Sequence, residues 1–435
     1  MLIEFRVKNF RSFQDEQVLS LVADRDKATL RGNCTAVGKL RLLKSAGIYG
    51  ANASGKSNLI KAIDIMKDLV KDSAGFEPDR KLPVTPFLLN GKSEKEPSVF
   101  EVTFFHDGIK YQYGFATTRK RIQKEWLLAS PKGVGQAWYE RTFNEKRGAY
   151  DWKYSTFLKG DKIKLAEKTR ENALFLSVGA QWNNEQLTNV YKWFKDNLRI
   201  APPRENFRPV TAKMLLDAET EKGLRKELYK SVIESMQDAD MGIRGVKVIR
   251  PEVDKDKMKF PDEMPREVQE MISKRLIKRL SRPKVEMVHR NIETGKDVYL
   301  PLEEESDGTQ RFFQLLGPFF ETVALGYTVF IDELEAHLHP LLTRELIKFV
   351  QNPEYNRNGA QLIFATHDVT LLDPELFRRD QIWFTEKDKN GGTQLYSMSD
   401  YRERRPRKGE AMQKGYLAGR YGAIPILEAF KIPHG

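Results

Sequence analysis

Residues 46–57 read Ala-Gly-Ile-Tyr-Gly-Ala-Asn-Ala-Ser-Gly-Lys-Ser. Gly50 and Gly55 stand five positions apart and are followed by Lys56 and Ser57, the G-x-x-x-x-G-K-[ST] pattern. An apolar strand precedes the pattern and an amphipathic helix follows it, with Leu59, Ile60, Ile63, Met66 and Val70 at helical spacing. The two glycines let the backbone curl so that the N–H groups of Ala51, Asn52, Ala53, Ser54 and Gly55 turn inward. The helix N-terminus adds the positive end of its dipole. Such a nest suits the phosphates of a nucleotide. Lys56 is expected to reach the β- and γ-phosphates, Ser57 to ligate Mg²⁺, Asn52 to touch the γ-phosphate and Asn58 to flank the loop. ATP and Mg²⁺ are the expected ligands.

Downstream, Thr328-Val-Phe-Ile-Asp332-Glu333 is an apolar strand ending in two acids. Two adjacent carboxylates would be costly if merely buried. Beside a phosphate loop Asp332 can hold Mg²⁺ and Glu333 can polarise an attacking water. A second buried strand, Gln361–Ala365, delivers His367 to the same sheet edge, where it can sense the γ-phosphate. Strands and helices alternate through this half of the chain, so an α/β fold with a parallel sheet is predicted. His337 and His339 form an H-x-H pair with no further His or Cys nearby to complete a zinc set, and a loop is the preferred reading.

Glu305-Ser-Asp-Gly-Thr-Gln-Arg311 opens a helix about twenty residues before that acid pair. Ser306 and Gly308, with Gln310, form a second anion site at a helix start. This site is expected to grip the γ-phosphate of an ATP held by another copy, so that two chains sandwich two nucleotides.

At this point the chain resembles a family, the ABC ATPases of the SMC, RecF and OLD group. The resemblance rests on Val7-Lys-Asn-Phe-Arg-Ser-Phe13, GANASGKS (50–57), ESDGTQR (305–311), FIDELEAHLHP (330–340) and ATHD (365–368). It implies a P-loop NTPase, an ABC-type head with a β-rich N-terminal lobe and a helical insertion. The expected divisions are an N-terminal ATPase lobe at 1–180, the insertion at 181–285 and a C-terminal lobe at 286–435. Arg11 and Ser12 are then carried over as nucleotide neighbours. Further segments, 42–63, NALFLSVGAQWNN (172–184) and the tail Gly415–Pro425, look like the RloA or AbiL-type ATPases of phage defence, with the ATPase of the PARIS system as a relative. That likeness implies a nuclease effector encoded nearby and a dimer or larger assembly of this chain. Asp307 departs from the transporter form of the signature, which has glycine there. The segment after Glu333 is expected to be too short for a nuclease domain of its own.

Composition bounds the alternatives. The one cysteine, Cys34, excludes a disulfide framework within the chain, which fits a cytoplasmic protein. No apolar run approaches a membrane span. The net charge of +12 favours anionic partners such as DNA. Basic runs at Lys274–Lys284 and Arg402–Lys408 are the candidate contacts. A RecF-like repair ATPase and an ATP-dependent scaffold with little turnover remain open beside the effector-controlling ATPase.

Overall fold

The computed structural model describes residues 1–26, 28–131, 133–201, 208–218, 224–239, 242–251, 264–280, 283–401 and 412–425. The chain divides into two compact units. One comprises Met1–Pro203, Thr322–Glu335 and Arg344–Gly435; the other comprises Arg204–Glu321 and Ala336–Thr343.

The first unit contains two large sheets. A six-stranded sheet runs in the order Leu198–Ala201, Thr328–Ile331, Gln361–Ala365, Ser45–Tyr49, Ile382–Lys387, Thr393–Ser397. Every pairing in it is parallel except that of the last two strands. Its central strands are apolar and wholly buried: Thr-Val-Phe-Ile, Gln-Leu-Ile-Phe-Ala and Ser-Ala-Gly-Ile-Tyr lack the alternation of a half-wet strand. That is the signature of a parallel sheet covered on both faces. The register aligns Ile331 with Phe364, Ala365 with Ile48, and Tyr49 with Phe384. The strands therefore finish level, and whatever follows them emerges along one edge.

A seven-stranded antiparallel sheet is built from Leu2–Lys8, Gln17–Ser20 and the meander Ser98–His106, Ile109–Thr117, Ile122–Ser130, Gln136–Asn144, Ala149–Tyr154. The Asp107-Gly108 turn of its first hairpin has positive φ at both residues, as a two-residue hairpin loop of the primed type requires. Helix Lys56–Asp72 buries Leu59, Ile60, Ile63, Met66 and Val70 in the same core as Phe5, Phe100 and Phe104 of this sheet.

The sequence pattern reads 186–197 as a helix of the insertion. The structure has an α-helix at Glu185–Lys192, a π-helical turn at Trp193–Asn197, and then the edge strand Leu198–Ala201 of the parallel sheet. Trp193 and Phe194 are fully buried in the first unit's core, Trp193 stacked on Phe104 at 4.0 Å. Burial of this aromatic pair in that core makes the segment part of the first unit.

In the second unit the pattern's single helix 212–238 is two helices, Arg208–Ala218 and Leu224–Asp238. A three-stranded antiparallel sheet joins Gly245–Ile249, Lys284–Arg290 and Asp297–Pro301. The hairpin at 284–302 is as its alternation predicts. The Pro-, Lys- and Asp-rich stretch 250–263, whose composition reads as a loop, lies almost wholly outside the described residues, and the basic run Arg402–Lys408 lies wholly outside them. Helix Arg266–Leu280 carries part of the other basic run, Lys274–Lys284. Among the described residues no helix is long and apolar enough to cross a membrane.

One buried charge cluster ties the antiparallel sheet to the start of helix Phe175–Gln181. Glu125 and Arg141 are both fully buried and paired at 2.9 Å. Glu125 also accepts from the hydroxyls of Tyr113 and Tyr139 and from the backbone N–H groups of Phe175 and Leu176. Removing one partner leaves the other a buried charge without its ionic partner, a loss of about 3–5 kcal/mol. Arg141→Met is expected to lower the unfolding free energy by about that much in urea titration. Arg147→Ala, which breaks an exposed pair with Asp151, is expected to change it by less than about 1 kcal/mol. Equal effects would contradict this account of the cluster.

Candidate functional site

The edge where the parallel strands end collects the residues singled out in the sequence. Strand Ser45–Tyr49 runs into the glycine loop, Thr328–Ile331 into Asp332-Glu333, Gln361–Ala365 into Thr366-His367-Asp368, and Ile382–Lys387 passes Thr385 alongside.

The loop's backbone shows why glycine stands where it does. Gly50 has φ 152° and Gly55 φ 122°. A Cβ on Gly50 would lie 2.4 Å from the Thr385 carbonyl oxygen, and one on Gly55 would lie 2.5 Å from Thr393 Oγ1. Both backbone conformation and space exclude a side chain. Ala53 between them also has positive φ, at 61°. Ser54 Oγ meets Thr385 Oγ1 at 2.6 Å, and Thr393 Oγ1 donates to the Ser54 carbonyl at 2.8 Å. Ala51 is half-buried, while Asn52 and Ala53 are exposed at the crest of the loop. Ser57 and Asn58 are half-buried on the first helical turn.

Lys56 is nearly buried, and its Nζ donates to the Gly50 and Ala51 carbonyls at 2.8 and 3.1 Å. Burial pushes its ammonium from 10.5 to about 8, against the opposing pull of Asp332, Glu335 and Glu333. Asp332 is buried at 4% exposure, its N–H bonded to the Ala201 carbonyl. Glu333 is exposed and has φ 53°, a left-handed backbone that turns the chain sharply after the strand. His367 projects at the surface of the edge. Burial and then the Lys56 charge push its imidazolium below the usual range, against three carboxylates.

Ser12 belongs to the same neighbourhood. Its Oγ accepts from Asn58 Nδ2 at 2.8 Å and lies within hydrogen-bond distance of Thr393 Oγ1, also at 2.8 Å. Arg11, with φ 50°, donates its N–H to the Thr85 carbonyl at 2.8 Å and leaves its side chain exposed. Asn9 fixes this turn: it is buried, has φ 50°, donates to the Ser93 and Glu96 carbonyls and accepts from Phe87 N–H.

Three residues of the neighbourhood escape sequence reasoning. Thr385 and Thr393 lie more than 300 positions from the loop they support. Both are buried hydroxyls on strands, Thr385 within Ile382–Lys387 and Thr393 at the start of Thr393–Ser397, and nothing local marks them. Glu335 is the third acid of Asp-Glu-Leu-Glu, and its Oε1 accepts from His367 N–H at 2.6 Å.

In the second unit, Ser306 Oγ accepts from Thr309 N–H at 3.1 Å and so caps helix Asp307–Leu325. Ser306 and Asp307 are exposed and Gly308 is half-buried. A Cβ on Gly308 would lie 3.0 Å from the His337 carbonyl oxygen. Gln310 Nε2 donates to the Glu305 carbonyl at 2.7 Å, folding back over its own turn. His337 has φ 63°, and His339 Nδ1 accepts from Leu341 N–H.

The donor set fits a nucleotide with a divalent cation. A backbone nest, a helix start and a lysine face phosphate, while a nearly buried carboxylate and a serine hydroxyl offer hard oxygen ligands. The ammonium's shift carries a stability consequence. A lysine value lowered by folding means that the charged form costs the folded state free energy. That cost is fully present below about pH 8 and fades as pH rises toward 10.5. In the nucleotide-free protein Lys56→Met is therefore expected to raise stability at pH 7 by about 1–2 kcal/mol. Urea titrations should show the gap to wild type narrowing by pH 10. A gap that is absent or widens would contradict the assigned environment of Lys56.

No curated protein matches the chain. The structure is similar to an SMC head bound to the C-winged-helix domain of ScpA, with 12% identity, a TM-score of 0.43, and coverage of 91% of this chain and 97% of the other. It is likewise similar to the SMC head domain from Thermotoga maritima, with 14% identity, a TM-score of 0.36, and coverage of 91% and 98%. A third likeness is to an SMC head domain with an extended coiled coil bound to the C-terminal domain of ScpA derived from Pyrococcus furiosus, with 13% identity, a TM-score of 0.32, and coverage of 91% and 96%. A family model described as "AAA domain, putative AbiEii toxin, Type IV TA system" matches residues 45–373, well over half of the chain and the whole interval from strand Ser45–Tyr49 past His367. The protein is a member of that AAA-domain family, an α/β P-loop ATPase domain.

Proposed function

We propose that the chain binds and hydrolyses ATP, dimerises around it, and uses that cycle to control a partner effector in defence against phage. The observation that carries the catalytic part is the convergence of Lys56, Asp332, Glu333 and His367 on one sheet edge beside a loop that only glycine can build.

Each residue has a role that its position supports. The N–H groups of Ala51 to Ser57 bind the β- and γ-phosphates, and Lys56 exchanges its two backbone carbonyls for phosphate oxygens. The anion restores full charge to an ammonium that burial disfavours, so binding and protonation reinforce one another. Ser57 and Asp332 would hold Mg²⁺, which supplies charge neutralisation across the phosphates. Glu333, exposed at the end of its strand, orients the attacking water and takes its proton. His367 senses the γ-phosphate from the neighbouring strand. Arg11 and Ser12 flank the nucleotide from the N-terminal turn.

Ser306, Gly308 and Gln310 form the second anion site. In this reading they close on the γ-phosphate held by the partner copy. Ser306 and Asp307 are exposed at the helix start, the side such an approach would use. The family's description names a toxin of a type IV TA system, which favours a two-component defence role over a solitary housekeeping ATPase. A nuclease encoded nearby is the proposed effector, and the cytoplasm the proposed location.

A second reading, a DNA-bound ATPase of RecF type, draws on Arg80, Lys81, Arg119 and Lys120, which with Asp79 and Glu171 line an open concavity of about 390 Å³ in the first unit. Salt-sensitive duplex binding in the absence of a protein partner would favour it.

Glu333→Gln is expected to slow steady-state hydrolysis by about 10²–10⁴-fold while leaving ATP binding intact and doubling the mass of the ATP-bound particle. Lys56→Ala is expected to abolish nucleotide binding. Turnover at the wild-type rate in Glu333→Gln would remove that residue from the mechanism.

A further inference from the structure

Glu335 has no part in the mechanism above, yet it joins the two loops on which that mechanism depends. Its Oε1 accepts the backbone N–H of His367 at 2.6 Å. One residue earlier, Leu334 N–H donates to the Ala365 carbonyl at 3.3 Å. These two bonds fasten the loop after strand Thr328–Ile331 to the loop after strand Gln361–Ala365. The rest of the second loop is held from elsewhere: Thr366 N–H bonds to the Ile48 carbonyl and Asp368 N–H to Thr366 Oγ1. The amide of His367 itself is held by Glu335.

The other oxygen of Glu335, Oε2, is buried and has no hydrogen-bond partner among the described residues. An idle buried acceptor costs about 1–3 kcal/mol. The carboxylate thus stays at the site with half its capacity unused. Its charge also bears on the catalytic groups. Among the carboxylates acting on Lys56, Glu335 ranks after Asp332 and ahead of Glu333; on His367 it ranks first.

We propose that Glu335 is a positioning residue: through its bond to the His367 amide it sets the histidine loop at the phosphate end of the site and couples it to the loop of Asp332-Glu333. The proposal rests on the ATPase reading and deepens it. Movement of either loop, when nucleotide binds or phosphate leaves, is then transmitted to the other through this side chain as well as the Leu334–Ala365 backbone bond. Glutamine at this position can still accept the amide hydrogen, whereas alanine cannot.

The test compares wild type, Glu335→Ala and Glu335→Gln in three measurements. These are kcat and KM for Mg-ATP, calorimetric binding of a non-hydrolysable ATP analogue, and amide hydrogen exchange over residues 365–368 in the nucleotide-free protein. Glu335→Ala is expected to lower kcat about tenfold or more with KM and analogue affinity little changed, and to speed exchange at His367 about tenfold, the change expected when one strong hydrogen bond is lost. Glu335→Gln is expected to restore both to within about threefold of wild type. Wild-type kcat and unchanged exchange in Glu335→Ala would overturn the proposal. So would a Glu335→Gln as impaired as Glu335→Ala, since charge and not the bond to His367 would then be what matters. Failure of the wild type to bind the analogue would instead defeat the ATPase reading, and the exchange measurement would still decide the role of Glu335.

Discussion

The level finish of four buried parallel strands is the constraint on which the rest of the first unit depends. Ile331, Phe364, Ile48 and Trp383 lie in neighbouring registers of one sheet. Both faces of the central strands are covered, so polar chemistry can begin only where each strand stops. Asp332, Thr366 and Gly50 are the first residues past those ends, with Thr385 beside them, and they define the site. A slip of one residue in any pairing would turn that strand's buried side chains onto the opposite face and carry its functional residue away from the others.

Electrostatics at this edge are unbalanced in a way that suits an anionic ligand carrying its own cation. Lys56 is buried and held to two carbonyls, with its proton affinity lowered by desolvation. Around it stand Asp332, Glu333 and Glu335. Phosphate relieves the lysine and a divalent cation relieves the carboxylates, so the two together complete what neither does alone. Glu335 adds a mechanical link to this set, since the same carboxylate that bears on Lys56 also holds the histidine loop.

Much of this was legible because the chemistry demands particular backbones. Gly50 and Gly55 announce themselves since no side chain fits there, and the apolar runs ending in Asp332 and before His367 announce buried parallel strands. The edge strand Leu198–Ala201 was not legible: it is four residues long, with Arg199 exposed on it, and only pairing with Thr328–Ile331 makes it a strand. Nor could periodicity show that the aromatic pair Trp193-Phe194 ties the preceding helix to the first unit's core. Thr385, Thr393 and Glu335 act through bonds to residues far away in sequence or through one backbone amide. A pattern in one chain records residue types, not such partners.

Ser306, Gly308 and Gln310 are proposed to serve the nucleotide of a second copy. Mixing two inactive variants tests it most directly. Ser306→Arg keeps its own phosphate loop but blocks its signature, while Lys56→Ala keeps its signature but cannot hold nucleotide. The account predicts that each alone is inactive and that an equimolar mixture recovers up to about a quarter of wild-type ATPase activity, because half the two-fold dimers then contain one intact composite site. Hydrolysis at the wild-type rate by Ser306→Arg alone would contradict it.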